Sequence, residues 1–361
     1  MDFSEYDKLT EEGFLRKVIS PCGDLVLYNY TDKCTYEKYW NEITLNARGT
    51  VYEISTGKII AQAFPKFFNF GELDSEKQNQ LLQEQNFEVF EKMDGSLGVV
   101  YFYDGKWRVN TRGSFTSDQA IKATEMLSKY NMNKVAKDYT LMCEIIYPEN
   151  RIIVDYGYEE KLILLAAFDS EWGFADQPTE ILTEISENTG IKMAPPYKFK
   201  SISDIVKKQS ELSMLEEGFV VKFNNNYRVK FKGIEYLKVA RIISNMTPLA
   251  FWKAMKNGMV CREILEEIPE EFRDSADKIK GFLEASYILI EDEIKEEFVY
   301  VIKSIGGLTD LEENRKEVGL WLKSYSKELK HSGAIFPMLL ESSEGIDKYI
   351  MKIIKPKGNV L

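Results

Sequence analysis

The 361-residue chain has a single histidine, His331, and this scarcity excludes several kinds of active site. A Ser-His-Asp triad depends on a histidine, and so do zinc sites of the Cys/His type. Cysteine is also scarce: the four residues are scattered without a CxxC pair, which favours reduced thiols in a cytosolic protein. Any acid–base or electrostatic chemistry must therefore come from Lys, Arg, Asp and Glu.

Long apolar runs and a secretory signal are missing as well. No run approaches the roughly 20 apolar residues that a membrane helix needs. The first six residues are acidic and polar, unlike a signal peptide. We expect a cytoplasmic protein without a membrane partner, in the host cytoplasm if the source is viral.

Positive charge is in deficit, with a formal net charge of −11 and a pI near 5.0. This balance argues against a surface coated in nucleic acid, because phosphate binding needs positive charge, but it allows a local basic groove. Hydrophobic residues make up 44% of the chain and aromatic residues 13%, which predicts a folded protein with room for two domains.

The first 243 residues are predicted to form a strand-rich α+β domain. Short apolar runs alternate with turn signals such as Asp104-Gly105 and Asn224-Asn225-Asn226, which are typical of hairpins. Strands are expected at 24–30, 49–54, 99–103, 106–110, 140–146, 162–168, 218–223 and 227–232. Helices are expected at 117–130, 178–189 and about 203–213.

Residues 244–361 are predicted to form an all-helical domain. Thr247 followed by Pro248 is a helix start signal. Residues 275–304 and 310–330 carry apolar positions at helical spacing with charged opposite faces.

Lys92 lies where an aromatic-rich run, Phe87–Glu91, leads into Lys-Met-Asp-Gly and then into a second strand-like run. A lysine at a strand end, held by a tight Asp-Gly turn, can act as a nucleophile. Its pKa, ordinarily about 10.4, must then be depressed by burial or by neighbouring cations. The alternative is an exposed lysine in a hairpin loop.

Lys230 and Lys232 lie two apart in an extended run, so both side chains face one side of the predicted strand. Two ammonium groups on one face repel unless they share an anion, for which a triphosphate is suitable. The alternative is a solvated edge strand whose lysines block aggregation.

Two glutamates lie within or beside apolar strand-like runs, where an unpaired carboxylate is costly. Glu144 can bond ribose hydroxyls, or it can pair with an arginine such as Arg48, Arg112 or Arg151. Glu217, just before another apolar strand, can hold the hydrated Mg²⁺ that accompanies ATP.

Taken in order, these segments resemble the covalent nucleotidyltransferases, and most closely the ATP-dependent RNA ligase 1 family of phage tRNA-repair enzymes. The matching segments are Arg48-Gly49, Lys-Phe-Phe-Asn at 66–69, Lys-Met-Asp-Gly-Ser-Leu at 92–97, Glu144 with the run at 147–154, Glu217-Gly218, Lys230-Phe231-Lys232 and Tyr236. The resemblance covers roughly residues 40–240. The helical tail matches in architecture only and is tied, in the family, to the choice of RNA substrate.

The resemblance implies a nucleotidyltransferase domain with antiparallel sheets around a nucleotide cleft, and ATP-dependent RNA ligase activity. Lys92 would take AMP from ATP to form a lysyl-adenylate. The AMP would pass to an RNA 5′-phosphate, and an RNA 3′-hydroxyl would then attack that activated phosphate. The implied RNA partner is nicked tRNA, with a possible separate end-healing kinase or phosphatase.

The resemblance also implies a role for each site residue. Arg48 and Lys66 would hold phosphate or position the nucleotide and the RNA end, Glu144 would bond the ribose, and Glu217 would hold hydrated Mg²⁺ (or Mn²⁺). Lys230 and Lys232 would face Lys92 across the cleft and neutralise charge. Tyr236 would occupy a family site position, and Phe168 would stack on adenine. Arg112 departs from the family, which tends to place a lysine there. An arginine keeps the charge but changes the geometry of a phosphate or nucleotide contact.

Three alternatives to an RNA ligase stand beside this interpretation. A DNA ligase or a GTP-using capping enzyme shares the lysine motif, but the Lys-Phe-Phe-Asn element and the helical tail argue against both. A catalytically silent RNA-binding protein of this fold is disfavoured by the intact Lys92, Lys230 and Lys232. An unrelated α+β domain would need every motif to coincide by chance.

Overall fold

The computed structural model describes residues 3–257, 270–304, 315–325, 329–340 and 342–357. The chain divides into two compact units, Met1–Leu237 and Lys238–Leu361. The sequence pattern predicts this division a few residues later, after residue 243.

Three sheets organise the first unit. The N-terminal sheet has the order β1-β2-β3-β4, formed by Leu15–Ile19, Leu25–Tyr30, Arg48–Glu53 and Ile59–Ala61. The central sheet has the order β10-β9-β8-β6-β7, formed by Ala175–Asp176, Lys161–Asp169, Tyr139–Ile146, Ser96–Tyr103 and Lys106–Thr111, and β11 (Lys192–Met193) pairs with β9. The third sheet has the order β12-β5-β13-β14, formed by Pro196–Tyr197, Phe87–Glu91, Gly218–Phe223 and Arg228–Lys232.

All pairings between these strands are antiparallel except the short β11–β9 pair. The hairpin turns are local: Asp104 and Gly105 have positive φ between β6 and β7, and Asn226 has positive φ between β13 and β14. Left-handed backbone of this kind suits Gly and Asn. The predicted α+β class with antiparallel sheets is therefore confirmed.

Helices pack against these sheets in the first unit. Their bounds are Ser4–Glu11, Asp32–Tyr36, Glu42–Asn46, Ser75–Leu82, Asp118–Met126, Thr179–Thr189, Ile202–Gln209 and the start of Ile234–Asn245. Ser117 and Ser201 accept hydrogen bonds from the first turns of the helices that follow them, as helix-capping side chains do. The three helices predicted from the sequence in this unit are confirmed within a few residues, except that 3₁₀ turns replace the end of 117–130.

The hydrophobic core of the first unit lies on the faces of the central sheet. One cluster contains Leu141, Cys143 and Leu164 and packs under the helices 118–126 and 179–189. Another cluster joins the central sheet to the N-terminal sheet, through Met142 and Phe168 on one side and the strands β2 and β3 on the other. The third sheet has its own core on one face, which leaves its other face for the cleft.

The described part of the second unit is helical, as predicted. Its helices are Pro248–Lys256, Glu270–Ser304, Arg315–Tyr325, Ser332–Leu339 and Ser343–Ile353. Thr247 caps the first by accepting from the Ala250 backbone, and the Trp252 indole donates to the Met351 carbonyl at 2.7 Å. Residues 310–314 and 326–328 of the predicted helix 310–330, and Cys261, lie outside the described residues.

Among the described helices, none combines the length and the apolarity that a bilayer crossing requires.

Gly218→Ala tests the closest backbone approach in the third sheet. A Cβ there would lie 2.0 Å from the Phe231 carbonyl oxygen, and φ is +132°, which L side chains rarely adopt. We expect a loss of about 3 kcal/mol or more in the free energy of unfolding, measured by urea denaturation. Gly173→Ala, with φ +66° and open space around its Cβ, is the control and should cost about 1 kcal/mol. Equal losses would contradict this packing.

Candidate active site

Lys92 directly follows β5, and the backbone holds it in the third sheet. Its N–H donates to the Gly218 carbonyl at 2.9 Å, which continues the β5–β13 ladder by one residue. Gly95 then brings the chain against β8, where a Cβ would lie 2.6 Å from the Ile145 carbonyl oxygen. The Lys-Met-Asp-Gly segment therefore turns from the third sheet into β6 of the central sheet at a point with no room for a larger residue.

Asp94 fixes this turn through a buried set of hydrogen bonds. One carboxylate oxygen accepts from the backbone N–H groups of Ile153 and Val154, at 2.9 and 2.8 Å. The other accepts from the Tyr236 hydroxyl at 2.8 Å, and the Asp94 N–H donates to the Tyr156 hydroxyl. A carboxylate satisfied in this way is well placed to hold its loop rigidly.

Glu217 joins the Lys92 side chain to that of Lys232. Its Oε1 lies 2.8 Å from both Nζ atoms, while Lys92 is 20% exposed and Glu217 only 3%. Lys232 pairs in register with Gly218, so the three groups lie on neighbouring strand ends. The expectation that Lys230 and Lys232 face Lys92 across the cleft is therefore wrong: β5, β13 and β14 belong to one sheet, and the lysines lie side by side.

The pKa of Lys92 also differs from the expectation. Burial lowers the pKa of this ammonium, but the negative charges of Glu217 and Glu144 outweigh burial and hold its pKa above the ordinary value. The predicted depression is wrong here because the carboxylate nearest to Lys92 is an ion-pair partner. Loss of that pairing would be needed to free the lone pair of Nζ.

Lys230 is the lysine with the depressed pKa. Burial, with the charges of Arg48, Lys92, Lys66 and Lys232, lowers the pKa of Lys230 to about 7. Its Nζ lies 5.2 Å from the centre of the Phe67 ring, and Arg48 lies over the same ring at 5.4 Å. Arg48 has two buried guanidinium nitrogens, Nε and Nη1, without a hydrogen-bond partner. Buried donors of this kind indicate that an anion belongs beside them.

Glu144 lies in β8 at the inner wall of the cleft and is 8% exposed. Burial raises the pKa of Glu144 to about 7, with Lys92 opposing the shift and Glu217 and Asp94 adding to it. Arg48 and Glu144 attract each other electrostatically, but no ion pair within 4.0 Å joins Glu144 to a described arginine. The Gly95 backbone N–H donates to this carboxyl group, which also lines the cavity, so a ligand in the cavity can reach it.

A cavity of about 560 Å³ lies between the third sheet and the central sheet. Seven Lys and Arg residues and two Glu residues line it. Of the residues predicted from the sequence, it collects Lys92, Lys230, Lys232, Arg48, Arg112 and Glu144. The basic groove that the acidic chain allowed is therefore present, and its volume is typical of a small-molecule site.

Two further basic residues of the cavity wall have no role predicted from the sequence. Lys222 and Arg228 pair in register across β13 and β14, and both form ion pairs with buried Asp176 on β10. Arg228 belongs to the same alternating series as Lys230 and Lys232, which is a signal that the sequence does contain. Asp176 has no such signal, because its partners come from strands some 50 residues further along the chain.

Four predicted site residues lie outside the cavity lining: Glu217, described above, Lys66, Tyr236 and Phe168. Lys66 is surrounded by aromatic rings, and Tyr236 lies behind the nucleophile loop on Asp94. Phe168 is 4% exposed and packs edge-on against Phe64 under the N-terminal sheet. The prediction that Phe168 stacks on adenine therefore conflicts with its placement, because the N-terminal sheet covers that part of the central sheet.

The donor set suits a nucleotide with a hydrated cation. Arg48 offers unpartnered buried donors, and Glu217 has a buried oxygen, Oε2, without a hydrogen-bond partner. In the described part of the chain, no group of three or more His, Cys, Asp or Glu could hold a metal directly. One carboxylate fits Mg²⁺, which keeps most of its water and takes further oxygens from substrate phosphates.

A lysine at a strand end, inside a basic cleft between antiparallel sheets, defines the class of covalent nucleotidyltransferases. Within that class the chain belongs to the RNA ligase family, whose model matches residues 46–236, more than half of the sequence.

Relatives with similar sequences carry related names. The chain is 28% identical over 241 residues to a putative bifunctional polynucleotide kinase/RNA ligase of Autographa californica nuclear polyhedrosis virus, covering 60% of this chain and 33% of that one. It is 30% identical over 183 residues to a putative RNA ligase of Thermovibrio ammonificans, covering 48% and 46%. An RNA ligase of Rhodothermus phage RM378 is 22% identical, covering 81% of each chain. The chain thus spans less than half the length of the first two relatives.

Solved structures of an archaeal ATP-dependent RNA ligase share the fold. Its second form superimposes with a TM-score of 0.51 at 16% identity, covering 78% of this chain and 76% of the other. At this identity the likeness concerns the fold alone.

Tyr236→Phe tests the anchoring of the nucleophile loop. Removal of the hydroxyl leaves one Asp94 oxygen without its 2.8 Å partner. We expect a loss of about 1–3 kcal/mol in the free energy of unfolding, measured by urea denaturation. Tyr227→Phe, a half-buried tyrosine of the same unit, is the control and should change little. A Tyr236→Phe protein as stable as the parent would show that this bond is dispensable.

Lys230→Met tests the depressed pKa of Lys230. In the unfolded chain the Lys230 ammonium has a pKa of about 10.4, so below that pH the folded protein is destabilised by keeping this group charged in a site that disfavours the charge. This free-energy cost reaches its full size below about pH 7. The substitution should therefore raise the free energy of unfolding by about 1–3 kcal/mol at pH 7, with the gain shrinking toward pH 10. Urea unfolding of both proteins across this range measures the difference.

Lys232→Met is the matched control for that experiment, because the Lys232 ammonium is paired with Glu217 at 2.8 Å. It should show no gain at pH 7. A gain from Lys230→Met that does not depend on pH would contradict the assignment, since apolar packing alone would then explain it.

Proposed function

We propose that this protein is an ATP-dependent RNA ligase that joins RNA 3′-hydroxyl and 5′-phosphate ends through a lysyl-AMP intermediate on Lys92. One observation carries the proposal: Lys92 lies at the end of β5 in a basic cavity, held beside Glu217 and Lys232. Its membership of the RNA ligase family supports the same reading.

In the first step Lys92 is the nucleophile. Its Nζ, after losing a proton, forms a bond to the α-phosphorus of ATP, and the bond to the bridging oxygen breaks so that pyrophosphate leaves with the electron pair. Transfer of this kind depends on in-line positioning and on charge stabilisation. Withdrawal of Glu217 from Lys92 would lower the Lys92 pKa, because the pairing is what raises it.

Different residues of the cavity bind different parts of ATP. Lys230, Lys232 and Arg48 neutralise phosphate charge, and Arg112 lines the same cavity. Glu144 accepts from the ribose hydroxyls. The adenine lies against apolar side chains of the cavity lining. The residues proposed for this contact, in place of Phe168, are Phe90, Leu97, Leu165 and Val220.

Glu217 would hold hydrated Mg²⁺, or Mn²⁺, through the oxygen that has no protein partner. A bound cation supplies charge neutralisation for the phosphates. Glu217 Oε1 meanwhile keeps Lys232 in place beside Lys92.

Two further transfers complete the reaction. An oxygen of the RNA 5′-phosphate bonds to the phosphorus of the adenylate while the Nζ–P bond breaks, and Lys92 takes up a proton. The RNA 3′-hydroxyl then attacks the activated 5′-phosphate and releases AMP, with loss of the hydroxyl proton.

The wider setting of this activity is part of the proposal. Nicked tRNA is the proposed substrate, ends healed by a separate kinase or phosphatase are the proposed supply, and the cytoplasm is the proposed location. The helical unit, residues 244–361 in the division made from the sequence, is proposed to select the RNA.

Labelling with α-³²P-ATP and Mg²⁺ tests the nucleophile directly. The protein should take up one label per chain that survives denaturation, and Lys92→Ala should abolish it while keeping the fold, because the side chain is held by one ion pair at the cavity surface. Lys106→Ala, an exposed lysine in the β6–β7 hairpin, is the matched control and should label normally.

Two outcomes would redirect the assignment. Covalent AMP on the Lys92→Ala protein would show that another residue is the nucleophile. Preferential labelling by GTP would move the function to capping, and joining of nicked DNA or duplex RNA in preference to a nicked anticodon loop would remove tRNA as the substrate.

A further inference from the structure

Lys66 lies inside a box of aromatic rings. Its Nζ is 5.2, 4.9 and 4.9 Å from the ring centres of Tyr30, Trp40 and Phe68, which we call the aromatic cage. The rings meet edge to face, with centres 5.1 Å apart for Tyr30 and Trp40 and 5.8 Å for Trp40 and Phe68. All three side chains are half-buried, so part of each ring surface is open to water.

Arg112 joins the cage to the cavity. Its guanidinium lies 5.2 Å from the Tyr30 ring centre and donates to the Tyr30 hydroxyl at 3.2 Å, and Arg112 also lines the cavity. Among the described residues, no carboxylate lies within 4.0 Å of the Lys66 or Arg112 cations. Two cations without a counter-charge, beside partly open aromatic rings, form the combination that binds single-stranded nucleic acid.

The segment that carries Lys66 separates the cage from the cavity. The Phe67 ring contacts Arg48 and Lys230 on the cavity side. Lys66 and Phe68, its neighbours in the chain, turn to the cage, and the Phe68 carbonyl accepts from the Lys230 N–H at 3.0 Å. The cage therefore lies next to the phosphate-binding end of the cavity without being part of its lining.

The chemistry of the second transfer decides which ligand reaches this place. In-line displacement puts the entering and leaving groups on opposite sides of the phosphorus. Lys92 enters opposite pyrophosphate in the first step and leaves opposite the RNA 5′-phosphate in the second. The 5′-phosphate must therefore approach from the side that pyrophosphate vacates. In the proposed function the phosphates lie against Arg48 and Lys230, which line the same cavity as Arg112.

We propose that the aromatic cage, with Lys66 and Arg112, binds the 5′-terminal nucleotide of the RNA that receives AMP. The two cations hold its phosphate, and the Trp40 ring stacks on its base. In this arrangement a 5′-phosphate oxygen forms the new P–O bond, the Nζ–P bond breaks, and its electron pair returns to Lys92. The inference rests on the proposed RNA ligase function and assigns one substrate end to a defined surface.

Trp40→Ala separates this role from ATP binding. Self-adenylylation with ATP should stay within about twofold of the parent, because Trp40 does not line the cavity. In a single turnover of pre-adenylylated protein, the concentration of 5′-phosphorylated oligonucleotide needed for half-maximal AMP transfer should rise about 10–100-fold, the loss that one base–aromatic stack represents. Trp40→Phe should restore most of it.

Trp172→Ala is the matched control, because Trp172 is a tryptophan of the same unit that is 77% exposed in a loop. It should leave both steps unchanged. An equal defect in self-adenylylation and transfer for Trp40→Ala would place the cage in ATP binding or in folding, and would overturn the proposal.

A substrate that lacks its 5′-terminal base completes the test. The parent protein should lose about as much with this abasic oligonucleotide as Trp40→Ala loses with the intact one, and Trp40→Ala should lose nothing further. Independent, multiplying losses would show that Trp40 does not contact that base.

A direct binding measurement tests the aromatic cage independently of the proposed ligase activity. On Lys92→Ala protein, fluorescence anisotropy should show tighter binding of a 5′-phosphorylated oligonucleotide than of its 5′-hydroxyl counterpart, and Trp40→Ala should weaken it. Pyrophosphate should displace the oligonucleotide, whereas AMP should not. Failure of the parent to take label from ATP would instead refute the ligase function, and indifference of binding to the 5′-phosphate or to Trp40 would refute the cage.

Discussion

The buried carboxylate of Asp94 is the constraint on which the geometry of the cleft depends. Four hydrogen bonds join its residue to Ile153, Val154, Tyr156 and Tyr236, which come from distant parts of the chain. A charged group in the interior must find such partners, because an unpaired one costs several kcal/mol. The turn between β5 and β6 is consequently fixed, and Lys92, two residues before Asp94, is fixed with it.

A second set of charges sets the chemistry of the cleft. Glu217 holds Lys92 and Lys232 together and raises the Lys92 pKa, while burial and the neighbouring cations lower the pKa of Lys230 to about 7. Two lysines in one sheet thus respond to their surroundings in opposite directions. An anionic substrate would relieve the repulsion at Lys230, so substrate binding and the charge of the cleft are linked.

Much of the site could be predicted from the sequence because its residues lie in short, regular patterns. The Lys-Met-Asp-Gly turn, the glutamate before Gly218 and the alternating lysines of β14 all lie at strand ends or at every second position, which fixes the face they occupy. Phe168 was predicted wrongly because a strand pattern does not reveal which sheet will cover it. Asp176 and the aromatic cage were missed because their partners are far away in the sequence.

The sequence by itself determined the α+β class and the helical character of the second unit, because local propensity and spacing carry that information. It also indicated the family and the lysine motif, through the resemblance of its ordered segments to known ligases. Only the tertiary structure decided that Lys92 and Lys232 lie side by side on Glu217, and that Lys66 lies in a cage outside the cavity. The physical reason is that ion pairs, burial and pKa values depend on distances between strands. Those distances are set by how the three sheets pack, which no single segment specifies.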